Sequence, residues 1–194
     1  MSWISRGLIA LASIIMIGIY FKPLWEITLY APQYKEGLKM IIWVNKITGG
    51  TPHDLRNINL LNHYVGMKKI DPNAIPELKI LPVIFGFMIF LGFLTAATGN
   101  TKLLYAWAIL IIIIGIASLA DFWWWEYDYG HNLNPHAPIK IPGMAYQPPM
   151  FGCKNLLNFR ACAFPSTGTY LLAVSGTLGV ISAVIEFFRR RKTQ

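Results

Sequence analysis

The sequence predicts an all-α membrane protein with four transmembrane helices and two long periplasmic loops. Three observations predict it. The 194 residues are 55% hydrophobic and 13% charged, with a mean hydropathy of +0.45, outside the range of ordinary soluble domains. Four apolar runs, approximately residues 7–29, 80–98, 103–121 and 169–188, approach the roughly 20 residues that cross a hydrocarbon layer. Between them lie two long segments, residues 30–79 and 122–168, where proline, glycine and polar residues concentrate. The formal charge of +8 comes from scattered residues apart from the run Arg189, Arg190, Arg191 and Lys192. That run flanks an apolar segment and reads as a topology signal, so the lipid bilayer is the expected partner and nucleic acid is not.

The first apolar run, residues 7–21, follows Arg6 and is short for a span unless Trp3, Ile4 and residues 22–30 extend it. A signal peptide is the competing reading. No small-x-small cleavage motif follows the run, and Pro32 would spoil a cut after Ala31, so an uncleaved first helix is expected. In the connection that follows, Pro23, Pro32, Gly49, Gly50, Pro52, Pro72 and Pro76 break any regular pattern. Two pieces of it still read as helical. Residues 34–47, with Leu38, Ile41, Ile42, Trp43 and Val44, resemble an amphipathic helix lying along the interface. Residues 51–67 open on Thr51, Pro52 and Asp54, a plausible helix start, with Leu55, Ile58, Leu61 and Val65 as the apolar face. His63 and Met67 are then four apart and share a face if the helix survives Gly66. The pair reads either as two ligands or as a packed helix with a hydrogen-bonded histidine, and taken alone it favours the second.

The second run contains Pro82, Gly86 and Gly92, which bilayer helices tolerate. The short link Gly99, Asn100, Thr101 and Lys102 forces an antiparallel hairpin with the third run, which ends at Asp121 before Trp123, Trp124 and Trp125, an aromatic cluster typical of the headgroup boundary. In the fourth run Ser175, Gly176, Gly179, Ser182 and Ala183 form a small-residue face that another helix can approach closely. Ionisable residues are nearly absent from the runs; Glu186 has Arg190 four residues on, so nothing lines an ion path and transport is not expected. Four spans and a basic C-terminal end imply a bacterial inner membrane with both termini cytoplasmic and both long segments periplasmic.

That orientation gathers the chemistry on one side. All four histidines (His53, His63, His131, His136), both cysteines and Met40, Met67, Met144 and Met150 fall in the two external segments. Asp128, His131 and His136 can form a carboxylate and two-imidazole set, while Gly130, Pro135 and Pro138 keep the backbone irregular enough to converge them. Met144 adds a thioether, which tilts a site toward copper, and His63 and Met67 join if the two segments meet over the bundle. The structural alternative is an external cap whose histidines bond backbone carbonyls and whose methionines pack on tryptophans. Cys153 and Cys162 form an even pair in one short segment and most often would be a disulfide; a thiolate pair on metal is the sharper alternative. There is no Cys-x-x-Cys-His haem motif, glycine-rich phosphate loop, Gly-x-Ser-x-Gly elbow or His-Glu-x-x-His.

The stretches NINLLNHYVGM (residues 57–67) and NPHAPIKIPGMAYQPPMFGCKNLLNF (residues 134–159) resemble small multi-pass membrane proteins that accompany nitrous-oxide reductase maturation systems, alongside a copper chaperone and an ABC-type transporter. The resemblance covers about a third of the chain. It implies copper as the metal and the periplasm as the compartment, with His63, Met67, His131, His136 and Met144 matching the pattern and Cys153 and Cys162 departing from it. The expected function is therefore to bind or hand over copper at the periplasmic face, with a periplasmic copper protein as partner. A non-catalytic subunit of a larger membrane complex, docking a periplasmic partner, is the alternative. A metal-dependent oxidoreductase subunit is less expected, because no base or nucleophile arrangement stands out.

Overall fold

The computed structural model describes residues 1–191, so Lys192 of the basic run lies outside the described residues. Helix α1 (Trp3–Ile17) opens with the Ser2 hydroxyl accepting the Ser5 N–H and tightens into a 3₁₀ turn, Gly18–Tyr20. The chain then leaves the helical layer for strands β1 (Trp25–Ala31), β2 (Tyr34–Ile42) and β3 (Ile47–Gly49), followed by helix α2 (Asp54–Val65). Helices α3 (Glu77–Thr98) and α4 (Thr101–His131) form the hairpin imposed by Gly99 and Asn100. Strands β4 (Gly152–Leu156) and β5 (Phe159–Pro165) precede the last helix, α5 (Thr167–Arg191).

Among the described residues, four helices are long and apolar enough to cross a membrane: α1 with its 3₁₀ turn, α3, α4 and α5. The protein is not purely α-helical, however. β1, β2, β3, β4 and β5 make a single antiparallel sheet in the order β3-β2-β1-β5-β4. Two expectations are corrected. The first span does not run over residues 7–29, because the helical layer ends at Tyr20 and residues 25–31 are the central strand. Residues 34–47 are not an interfacial helix but β2 and the turn into β3. The physical reason is alternation: Trp25, Ile27 and Leu29 face the same side as Leu38, Met40 and Ile42, and pairing of β1 with β2 and β5, and of β2 with β3, supplies the hydrogen bonds that a lone helix would have made internally. On the opposite face Lys39 meets Glu26 at 2.9 Å, which raises the lysine's pKa through the hydrogen bond and charge of that carboxylate.

Within the bundle, α1 lies between α5 and α3. Ser175 and Ser182 of α5 donate to the carbonyls of Ala12 and Ser5 on α1, each at 2.8 Å, and both hydroxyls are buried. The small-residue face of α5 is therefore in use, with one refinement. Gly179 receives the ring of Trp107 from α4 so closely that a Cβ there would lie 1.9 Å from the indole, whereas Gly176 is much less crowded. Trp107 is fully buried and its indole N–H donates to the Met88 carbonyl of α3 at 2.9 Å, so one side chain ties three helices.

Helix α4 joins the two layers. Its 31 residues extend about 46 Å, some 16 Å more than a hydrocarbon layer of about 30 Å. The surplus turns carry Phe122, Trp125 and Tyr129 into the core beneath the sheet, against Ile27, Met40, Ile58 and Ile70. The ring of Trp125 packs tilted on Tyr129, centroids 4.3 Å apart, while Trp124 and Trp123 stay exposed, so the tryptophan run divides between core and perimeter. At the layer junction, the N–H groups of Ser166 and Gly168 donate to Leu24 and Pro23 carbonyls, stitching the start of α5 to the link that leads from α1 into β1.

Candidate functional site

The predicted ligands fall along a seam on top of the sheet-bearing layer. Helix α2 stops at Val65 because Gly66 adopts a left-handed φ of 82°, where any other residue would be strained, and the Met67 N–H returns to the Asn62 carbonyl. His63 therefore stays on the last helical turn, exposed to solvent, and Met67 is turned away from it toward the interior. The loop after α4 then runs against this corner. The Asn134 N–H donates to the Gly66 carbonyl at 2.7 Å and the Ile139 N–H to the Tyr64 carbonyl at 2.9 Å, with Ala137 buried against Gly66. The two long segments between the apolar helices thus meet through backbone hydrogen bonds.

Each predicted residue has a definite place. His131 ends α4, stacks at 4.0 Å on Tyr127 and donates from Nδ1 to the Tyr127 carbonyl at 3.0 Å, which leaves Nε2 with the lone pair. His136 is exposed on the seam loop, where its backbone N–H donates to the Asn134 side chain. Asp128 is held by Lys68 at 2.6 Å and by the Asn132 amide, so its carboxylate already has a cationic partner. Met144 is half-buried farther along the loop, beyond a turn closed by its own N–H on Ile141. Cys153 and Cys162 face each other across β4 and β5 and are joined by a disulfide. Among the described residues, no group of three or more His, Cys, Asp or Glu side chains is disposed to hold a metal ion.

Two polar groups outside the predicted set are the most unusual in the molecule. Glu126, on α4, is fully buried, and neither carboxylate oxygen has a hydrogen-bond partner among the described residues. Tyr146 is carried under the sheet after its N–H bonds the Gly130 carbonyl at 2.9 Å; it is buried, and its hydroxyl is likewise unpartnered. Both line one cavity of about 80 Å³ between the sheet, α2 and α4, together with Met40, Asn62 and Met67. A signal for Glu126 was present in the sequence. Continuing the third helix through the aromatic run puts Phe122, Trp125, Glu126 and Tyr129 on one face, a carboxylate set among aromatics. Tyr146 carried no such signal, since it sits in a segment without periodicity.

The chain matches no family model and no curated protein.

Proposed function

We propose that this chain is a membrane-embedded copper-binding protein that holds copper at the periplasmic face of a bacterial inner membrane, or hands it to a periplasmic copper protein there. The observation that carries the reading is the seam: the Gly66 and Tyr64 carbonyls accept from Asn134 and Ile139, so the His63 segment runs beside the loop bearing His136. The donor chemistry fits. Imidazole and thioether suit copper, and the His131 tautomer fixed by Tyr127 offers Nε2 as a ligand supported from behind by a hydrogen bond. His63, His131 and His136 would hold the metal, with Met144 as a soft auxiliary donor; Met67 faces the interior cavity instead. Asp128, engaged by Lys68, acts in this reading by fixing the end of α4 rather than as a ligand. The basic run at Arg189 to Arg191 supports the orientation.

The test is equilibrium copper titration of the purified protein in detergent, under reducing and oxidising conditions, with single alanine variants of His63, His131 and His136. Stoichiometric uptake that falls in the His131 and His136 variants, and far less in His53→Ala, is the expected result. Wild-type protein that takes up no copper, or three variants that bind as wild type does, would overturn it. A second reading, a docking subunit of a larger membrane complex, is favoured by Ile139, Ile141 and Phe151, apolar side chains exposed on the seam loop.

A further inference from the structure

A carboxyl group removed from water without a partner is costly, by several kcal/mol if it is ionised, and folded proteins rarely leave one so. Glu126 is such a group, with neither oxygen partnered and no exposure, and it opens onto space rather than into packed side chains. The unpartnered Tyr146 hydroxyl opens onto the same cavity, whose volume of about 80 Å³ is several times what one water needs. What else lines the cavity narrows the occupant. Met40 and Met67 bring thioethers from β2 and from the turn after α2, and most of the remaining wall is aliphatic or aromatic.

A single positive charge neutralises the carboxylate without leaving an excess in a low-dielectric chamber, whereas a divalent ion would leave a net charge buried. Thioethers select soft ions over hard ones, and in an apolar cavity they provide donor atoms with no solvation to lose. We propose that this chamber is a buried site for a soft monovalent cation, copper(I), bound by the Glu126 carboxylate and the thioethers of Met40 and Met67, with Tyr146 hydrogen-bonding to the carboxylate or to a water beside the ion. The site shares its metal with the reading above but does not rest on the surface histidines. Three separate elements supply it: β2, the turn that Gly66 creates after α2, and the part of α4 beyond the bilayer.

The experiment uses the full chain purified in detergent with its disulfide intact. The probes are copper(I) under anaerobic reducing conditions and silver(I), which has the same charge and softness without redox chemistry. Affinity is read by competition with a chromophoric chelator, and binding also by the rise in melting temperature. Wild type is expected to take up one equivalent of silver that survives simultaneous replacement of His63, His131 and His136 by alanine. Glu126→Gln, which keeps shape and removes charge, is expected to weaken that equivalent by at least about tenfold, and Met40→Leu to do the same while binding of divalent zinc is unchanged. The metal-free Glu126→Gln protein should melt no lower than wild type, because the substitution puts a neutral amide of the same shape where a carboxyl is buried without a partner; Met40→Leu conserves volume and carries the test by itself if the glutamine variant fails to fold. Silver or copper(I) bound as tightly by Glu126→Gln or by Met40→Leu as by wild type would overturn the proposal, as would no uptake at all, which would make the cavity a water chamber. Uptake lost with the three histidines but kept in both cavity variants would sink this site and leave the surface reading standing.

Discussion

Replacing Asp54 by alanine should loosen the sheet-bearing layer at its most heavily bonded carboxylate. Asp54 opens α2 and is buried; its Oδ2 accepts the N–H groups of Lys39 and Thr51, each at 3.1 Å, and its Oδ1 accepts the Thr51 hydroxyl. One side chain therefore pins the helix start to the turn before it and to β2. Hydrogen bonds to a charged group contribute roughly 1.5–3 kcal/mol each, and three of them would sum to roughly 5–9 kcal/mol if water replaced none. Thr51 is exposed and water can reach its side, so a net loss of about 3 kcal/mol is expected, mainly from the Lys39 N–H and the lost helix-start bonding. For a chain of this size that is a fall of about 6–12 °C in apparent melting temperature. Burial works against ionisation of Asp54, but the hydrogen bonds from Thr51 and from the Lys39, Thr51 and Gly50 backbone outweigh it and hold its pKa below the usual value. A depressed folded-state pKa gives stability that is fully present above the unfolded value, about 3.9, and is lost as pH falls through the folded value. The gap between wild type and Asp54→Ala, followed by tryptophan fluorescence in detergent, should thus stay level from pH 8 to pH 5 and narrow only below about pH 4. A fall of less than about 2 °C at pH 7, or a gap that closes between pH 8 and pH 5, would refute the reasoning.

Gly179→Ala should lower the melting temperature by about 5 °C or more, since its Cβ would meet Trp107 at 1.9 Å, while Gly176→Ala, with 3.7 Å to Ile111, should be nearly neutral; thermal melts of the two variants in detergent compare them directly. Cys153→Ser with Cys162→Ser should cost about 3 kcal/mol on the loop-entropy estimate and leave metal content unchanged, as read by melting and elemental analysis. The same cysteines report sidedness: after mild reduction, a membrane-impermeant thiol reagent should label them in intact spheroplasts, and labelling only after lysis would reverse the orientation proposed above.

The bundle was legible because hydrocarbon imposes a length and a composition that nothing else in the chain imitates. The small-residue face of α5 was legible for a related reason: close helix approach needs Ser175, Gly179 and Ser182 at helical spacing. The sheet was not, although its alternation is written in residues 25–31 and 38–42. Trp25, Ile27 and Leu29 continue the hydropathy of the first run, and Leu38, Ile41 and Ile42 satisfy a helical spacing as well as a period of two. What decides between them is strand pairing: β2 is held between β1 and β3, and β1 is completed by β5, at least 130 residues away, which no local window contains. Glu126 was obscured by the same boundary error. Ending the third helix at Asp121 placed the carboxylate in a loop, where it reads as solvated, when it is five residues up a continuing helix and turned inward. The histidines were conspicuous by type, but their mutual placement depends on Gly66 and on two backbone hydrogen bonds that no residue identity announces.

The length of α4 sets an altitude. Asp121 is the first charged residue after Lys102 and marks where hydrocarbon gives way to headgroups. Glu126 stands five residues higher, about 7.5 Å along the axis, and the headgroup layer is itself only about 5–7 Å thick on each side. With α4 crossing the bilayer up to Asp121, the chamber beneath the sheet would sit at the lipid surface, and because one unbroken helix serves both the bilayer and that floor, it has no hinge there on which to swing clear. If the chamber takes up a cation as proposed above, whatever exchanges it must come down to the plane of the membrane, so a carrier confined to that plane would search in two dimensions where a free one searches in three.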